Sequence, residues 1–114
     1  MPQETRYTHK HGSPDFLVRE RTQLIEAPVY DAGTLTAPSS GTVSIYKGDG
    51  SLLVDASAVT VTASIATFSV TAASLPSTLA LEDNWLIVWS LVLAGDTHTF
   101  QRPAALVRRE LHPV

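Results

Sequence analysis

The stretch DNWLIVWSLVLAG, residues 83–95, decides what kind of fold this chain adopts. A strand on the surface of a small domain alternates apolar with polar residues, because successive side chains point to opposite faces. Here Trp85, Leu86, Ile87, Val88, Trp89, Leu91, Val92 and Leu93 leave Ser90 as the one polar residue between Trp85 and Leu93. One side of such a strand fills the domain's own core. The other side also asks for a cover, and a chain of 114 residues has little to spare for it.

Strand signals continue on both sides of this stretch. Downstream, LAGDTHTF makes a hairpin turn at Ala94-Gly95-Asp96, and THTFQRPAALVR (97–108) returns. Upstream, TVSIYK (42–47) sets Val43 and Ile45 on one face against Thr42, Ser44 and Tyr46 on the other. KGDGS (47–51) follows, with Asp49-Gly50 as a two-residue hairpin turn, and SLLVDAS (51–57) is the return strand. VTVTA (59–63) and ATFSVTA (66–72) alternate Val59, Val61, Ala66, Phe68 and Val70 with threonine and serine. With LIEAPVY (24–30), the pattern predicts seven or eight strands spaced 8–12 residues apart, an all-β antiparallel sandwich. Only SLPSTLALED (74–83) suits a helical turn, as a crossover between sheets.

Composition and charge agree with one globular domain. The chain is 44% hydrophobic and 17% charged, with a formal net charge of −3. It has no cysteine, which rules out disulfides, thiol catalysis and cysteine-ligated zinc. Its opening, MPQETRYTHKHGSPD, lacks the apolar region of a secretory signal, so synthesis in the cytoplasm is expected. The apolar run is too short for a membrane-spanning helix. Residues 1–22 show no sustained period and predict an extended arm ahead of a sandwich over residues 23–114. Charge follows the same zones. Residues 23–101 carry one base, Lys47, against seven acids: Glu26, Asp31, Asp49, Asp55, Glu82, Asp83 and Asp96. The first zone has Arg6, Lys10, Arg19 and Arg21 against Glu4, Asp15 and Glu20, and the last has Arg102, Arg108 and Arg109 against Glu110. An acidic body with mildly basic ends suits subunits that touch head to tail.

No catalytic set emerges. The chain lacks a phosphate loop, a G-x-S-x-G elbow and an H-E-x-x-H pair. His9 and His11 would share a face of a strand but have no third ligand beside them. His98 lacks a nucleophile and reads as a solvated strand residue, and Asp49 is explained by its turn rather than by calcium held with Asp55. No cofactor is expected. Arg108 and Arg109 point to opposite faces of a strand, and the acidic body repels phosphate, so direct nucleic-acid recognition is not expected. Trp85 and Trp89 share a face and could, with Tyr46, offer an aromatic platform to a sugar; their aliphatic neighbours favour the core instead.

The second apolar side is best covered by another protein surface. Candidate partner-binding residues are Arg6, Lys10, Phe16, Arg19 and Arg21 near the start, Leu86, Val88 and Val92 on the strand, and Arg108 and Arg109 near the end. The runs APSSGTVSIYKGDGSLLVDASAVTVTASIATFSV (37–70) and LPSTLALEDNWLIVWSLVLAGDTHTFQRPAALVRRELHPV (75–114) resemble small virion structural proteins of tailed bacteriophages. The W-x-x-x-W strand, the G-D turn and the trailing LVRR-x-L-x-P segment carry the resemblance, which covers residues 22–114. It implies an Ig-like sandwich and a place in the virion among head-completion and neck components, as a ring of copies touching portal, adaptor or tail proteins. A capsid decoration protein is the alternative, and a carbohydrate-binding adhesion module a third.

Overall fold

In the computed structural model, residues 7–9 and 15–107 are described. Their strands are β1 (Tyr7–His9), β2 (Asp15–Val18), β3 (Gln23–Ala27), β4 (Val29–Asp31), β5 (Thr34–Leu35) and β6 (Ser40–Tyr46). They continue with β7 (Leu52–Ala58), β8 (Thr60–Thr62), β9 (Ile65–Val70), β10 (Trp85–Leu93) and β11 (Asp96–Val107). A 3-10 turn, Ala72–Ser74, is the one helical element among the described residues.

The large sheet has the order β2-β11-β10-β6-β7, and the facing sheet β3-β9-β8. A small sheet, β1-β4-β5, extends the second layer through the β3–β4 segment. All pairings are antiparallel except β2 with β11. The first strand region thus divides between the layers: β1 pairs antiparallel with β4, and β2 runs parallel to the last strand. With the β6–β7 and β10–β11 hairpins in one sheet and β3, β8 and β9 in the other, this is the order of an Ig-like β-sandwich. The strand order assigns the fold.

The core lies between the layers. Leu17, Val43, Ile45, Trp85, Ile87, Trp89, Leu91, Leu93, Ala104 and Leu106 come from the large sheet. Ile25, Ala27, Val29, Ala66 and Val70 come from the other layer, and Leu75 from the crossover after β9 closes the end. The crossover expected over residues 74–83 is present, but its helical turn falls earlier, at Ala72–Ser74.

Three sequence expectations are corrected. Asp15–Val18 falls within the segment expected to be an arm, yet it is a strand of the large sheet and Leu17 is fully buried. An apolar side chain that fits between two sheets outweighs the polar residues around it. The single strand expected at 24–30 is two, because Pro28 lacks the N–H that would continue the ladder and the chain changes sheets there. The β6–β7 turn is not a two-residue Asp-Gly turn. The Gly50 amide donates to the Lys47 carbonyl (2.9 Å) and the Lys47 amide to the Ser51 carbonyl (2.8 Å), with only Gly50 at positive φ, 89°. That is a type I turn followed by a left-handed glycine that forms a bulge.

Pro103 sits inside β11 without harm. The Val92 carbonyl accepts from the Ser39 amide on the β6 side, so the even-numbered positions of β10 address β6. Leu86 and Pro103 are therefore a non-hydrogen-bonded pair, and the missing N–H points away from β10. On that side β2 joins one residue later, at Ala104.

Candidate interaction surface

The register of β10 is unbroken against both neighbours, so its alternation is a clean division into two sides. Trp85, Ile87, Trp89, Leu91 and Leu93 are buried in the core, and Leu86, Val88, Ser90 and Val92 are half-buried on the outer side. Pairing fixes what flanks them. Leu86 lies between Tyr46 and Pro103, Val88 between Ser44 and Gln101, and Val92 between Ser40 and Thr97. An apolar row thus runs down the middle of the outer face, bordered by hydroxyl and amide side chains. Leu86, Val88 and Val92 are brought together as the sequence predicts.

Phe16 stands on the same outer face, 60% exposed, because parallel pairing sets it beside Ala105. It forms a shallow groove of about 410 Å³ with Leu81, Glu82, Asp83, Ala105, Leu106 and Val107. Leu81, which also lines it, is 41% exposed, while Ala105 is only 5% exposed. Leu81, Ala105 and Val107 escaped the sequence reading. Their signal was available: Ala104-Ala105-Leu106-Val107 is apolar on both sides of its strand, as β10 is.

Glu82 ties this groove to the β6–β7 turn. Its Oε1 accepts hydrogen bonds from the Gly48 amide (3.1 Å) and from the Trp85 indole (3.2 Å). The Asn84 amide nitrogen donates to the Gly48 carbonyl (3.1 Å), and the Glu82 carbonyl accepts from the Leu106 amide (2.8 Å). A Cβ on Gly48 would push aside the ends of the Glu82 and Asn84 side chains that bond its backbone. Nearby, Asp49 accepts from the Ser51 hydroxyl (2.6 Å) and amide (2.9 Å), and the Ser51 hydroxyl bond, followed by its amide, holds the carboxyl below its ordinary pKa. These contacts make Asp49 a turn-stabilising residue.

The remaining candidates are scattered. Arg19 donates from its guanidinium to the Leu79 carbonyl (2.9 Å) and from its backbone to the Val107 carbonyl (3.0 Å), which occupies it at the end of β2. Arg21 is exposed. Arg6, Lys10, Arg108 and Arg109 lie outside the described residues, as does His11. His98 is half-buried opposite Leu91 rather than solvated. Trp85 and Trp89 are 2% and 0% exposed, so both are core residues and present no aromatic platform. Among the described residues no group of three or more histidine, cysteine or acidic side chains could hold a metal ion, and no helix is long and apolar enough to cross a membrane.

No protein-family model and no curated protein matches the chain. Among solved structures, the crystal structure of the Lin-41 filamin domain is similar at 19% identity, over 90% of this chain and 95% of that one, with a TM-score of 0.43.

Proposed function

We propose that this chain is a structural, non-catalytic subunit of a tailed-phage particle, a head-to-tail connector (neck) protein that assembles as a ring. It is made in the cytoplasm of a bacterial host and ends in the virion, against copies of itself and against portal, adaptor or tail proteins. The observation that carries the reading is the outer side of β10. An apolar row of Leu86, Val88 and Val92 bordered by Ser40, Ser44, Thr97 and Gln101 has the apolar centre and polar rim of a protein–protein contact. The character of β7, the edge strand of the large sheet among the described residues, supports a contact through faces. Two register shifts interrupt its pairing with β6, and Ala56 at φ 48° bends it, which discourages addition of a further strand.

The test is mass-spectrometric stoichiometry of particles purified from the phage whose genome encodes this sequence. A copy number fitting one ring is the expected result. The much larger number of a shell lattice would assign the chain to capsid decoration, and its absence from particles would end the structural reading.

A further inference from the structure

We propose that the groove between Phe16 and Leu81 is a socket for residues 108–114 of a second copy of this chain. The inference rests on the ring reading above and names the contact that builds the ring. The groove joins two chemistries. Ala105, Phe16, Leu81 and Val107 give it an apolar lining, and Glu82 and Asp83 add two acidic side chains. Among the described residues, both of the Glu82 side-chain bonds are made by Oε1, which leaves the second carboxylate oxygen for a partner. Arg19, at the end of β2, is held on the Leu79 carbonyl. The occupant that fits is a short extended segment with a cation next to an apolar side chain.

The chain carries such a segment directly after Val107: RRELHPV, residues 108–114. In an extended backbone Arg109 and Leu111 share one side, about 7 Å apart, and Arg108 points to the other. Arg109 meets Asp83 and Glu82, and Leu111 enters between Phe16 and Leu81. The segment serves a neighbour and not its own groove. β11 runs in unbroken register toward Val107, so the chain is heading away from Ala105 when it leaves the sheet. A tail of one copy in a groove of the next is a heterologous contact, which closes into a ring or continues as a filament.

The absence of native cysteine makes the test clean. Isotopically labelled full-length Leu81→Cys and unlabelled full-length Leu111→Cys are mixed in equal amounts under mild oxidation, and the disulfide-linked species, now distinct in mass, are sorted by mass spectrometry. The expected result is a mixed dimer in excess over both homodimers. Adding Arg109→Glu to the Leu111→Cys copy should lower its yield by about tenfold or more, since like charges then face each other. Asp83→Arg in the Leu81→Cys copy should restore it, and Arg108→Glu should leave it within about twofold, as expected of a solvent-facing charge. No excess of mixed dimer, or equal effects of the two arginine reversals, overturns the proposal. So does a purely intrachain disulfide in the Leu81→Cys/Leu111→Cys double variant, which would put the tail in its own groove. Because the cross-link needs no particle, its failure is separable from that of the neck reading. A socket in a protein absent from virions removes only the latter, and a protein at ring stoichiometry without the cross-link removes only the former.

Discussion

At the scale of single residues, the two tryptophans show what an apolar alternation can and cannot say. Trp89 is fully buried and its indole N–H finds no hydrogen-bond partner, whereas Trp85, also buried, donates to Glu82. Trp89→Ala should cost about 3–5 kcal/mol in urea unfolding, the range for deleting a large buried aromatic. Trp89→Phe should cost below about 1.5 kcal/mol, because it keeps most of the ring volume and removes an unpaired buried donor. If the alanine variant lost under about 1 kcal/mol, Trp89 would have to lie outside the core. Gly48 behaves in the opposite sense, a small residue on which several bonds depend. Gly48→Ala should push Glu82 and Asn84 aside, leave the Trp85 N–H unpaired and destabilise by about 1–3 kcal/mol, with a shift in Trp85 fluorescence. An unchanged spectrum and melting temperature would show that the clasp yields without loss. The burial of the tryptophans was legible in the spacing of β10. The Gly48 clasp was not, since Glu82 and Gly48 meet only when the crossover and the hairpin turn arrive at one corner.

At the scale of elements, the sequence announces a turn when glycine supplies the positive φ and stays silent when strain does. Leu93 and Asp96 close a two-residue hairpin over Ala94 (φ 52°) and Gly95 (φ 86°), where the sequence predicts one. Thr62 and Ile65 close another over Ala63 (φ 52°) and Ser64 (φ 69°), with no glycine or asparagine to mark it. A non-glycine residue in the left-handed region carries a cost of about 1–2 kcal/mol, while glycine there loses about 0.5–1 kcal/mol of extra chain entropy on folding. Ser64→Gly should therefore stabilise the domain by about 0.5–1 kcal/mol and raise its melting temperature by about 2–6 °C. A lower melting temperature would mean that the serine side chain contributes something glycine cannot. β2 is likewise silent in the sequence. Its four residues do not stand out by period, and only parallel pairing with β11, distant in sequence, gives Leu17 a place in the core.

At the scale of the whole molecule, the question is how a domain this small comes to hold a strand that is apolar on both sides. Its own two layers account for the inward half of β10, and the flanking side chains of β6 and β11 cover the outward half only in part. The sequence predicted both the sandwich and this surplus, because alternation and its violation are local signals. It could not place Phe16, Leu81 and Ala105 beside one another, because three separate segments of chain contribute them. The surplus leads to a prediction that compares folding with assembly. In the isolated domain Val88 sits half-buried between Ser44 and Gln101, where a carboxylate can still reach water, so Val88→Asp should cost about 1 kcal/mol or less. Under a neighbouring subunit the same carboxylate would be stripped of water without a partner, at a cost of several kcal/mol. Calorimetry of the purified variant should show a melting temperature close to that of the parent, while, if the chain is the particle subunit proposed above, its incorporation into particles should fall sharply. A variant that folds and incorporates normally would show that this face meets nothing in the particle. One that no longer folds would place Val88 with the core instead, and the outward row of β10 would then belong to the stability of the domain rather than to its contacts.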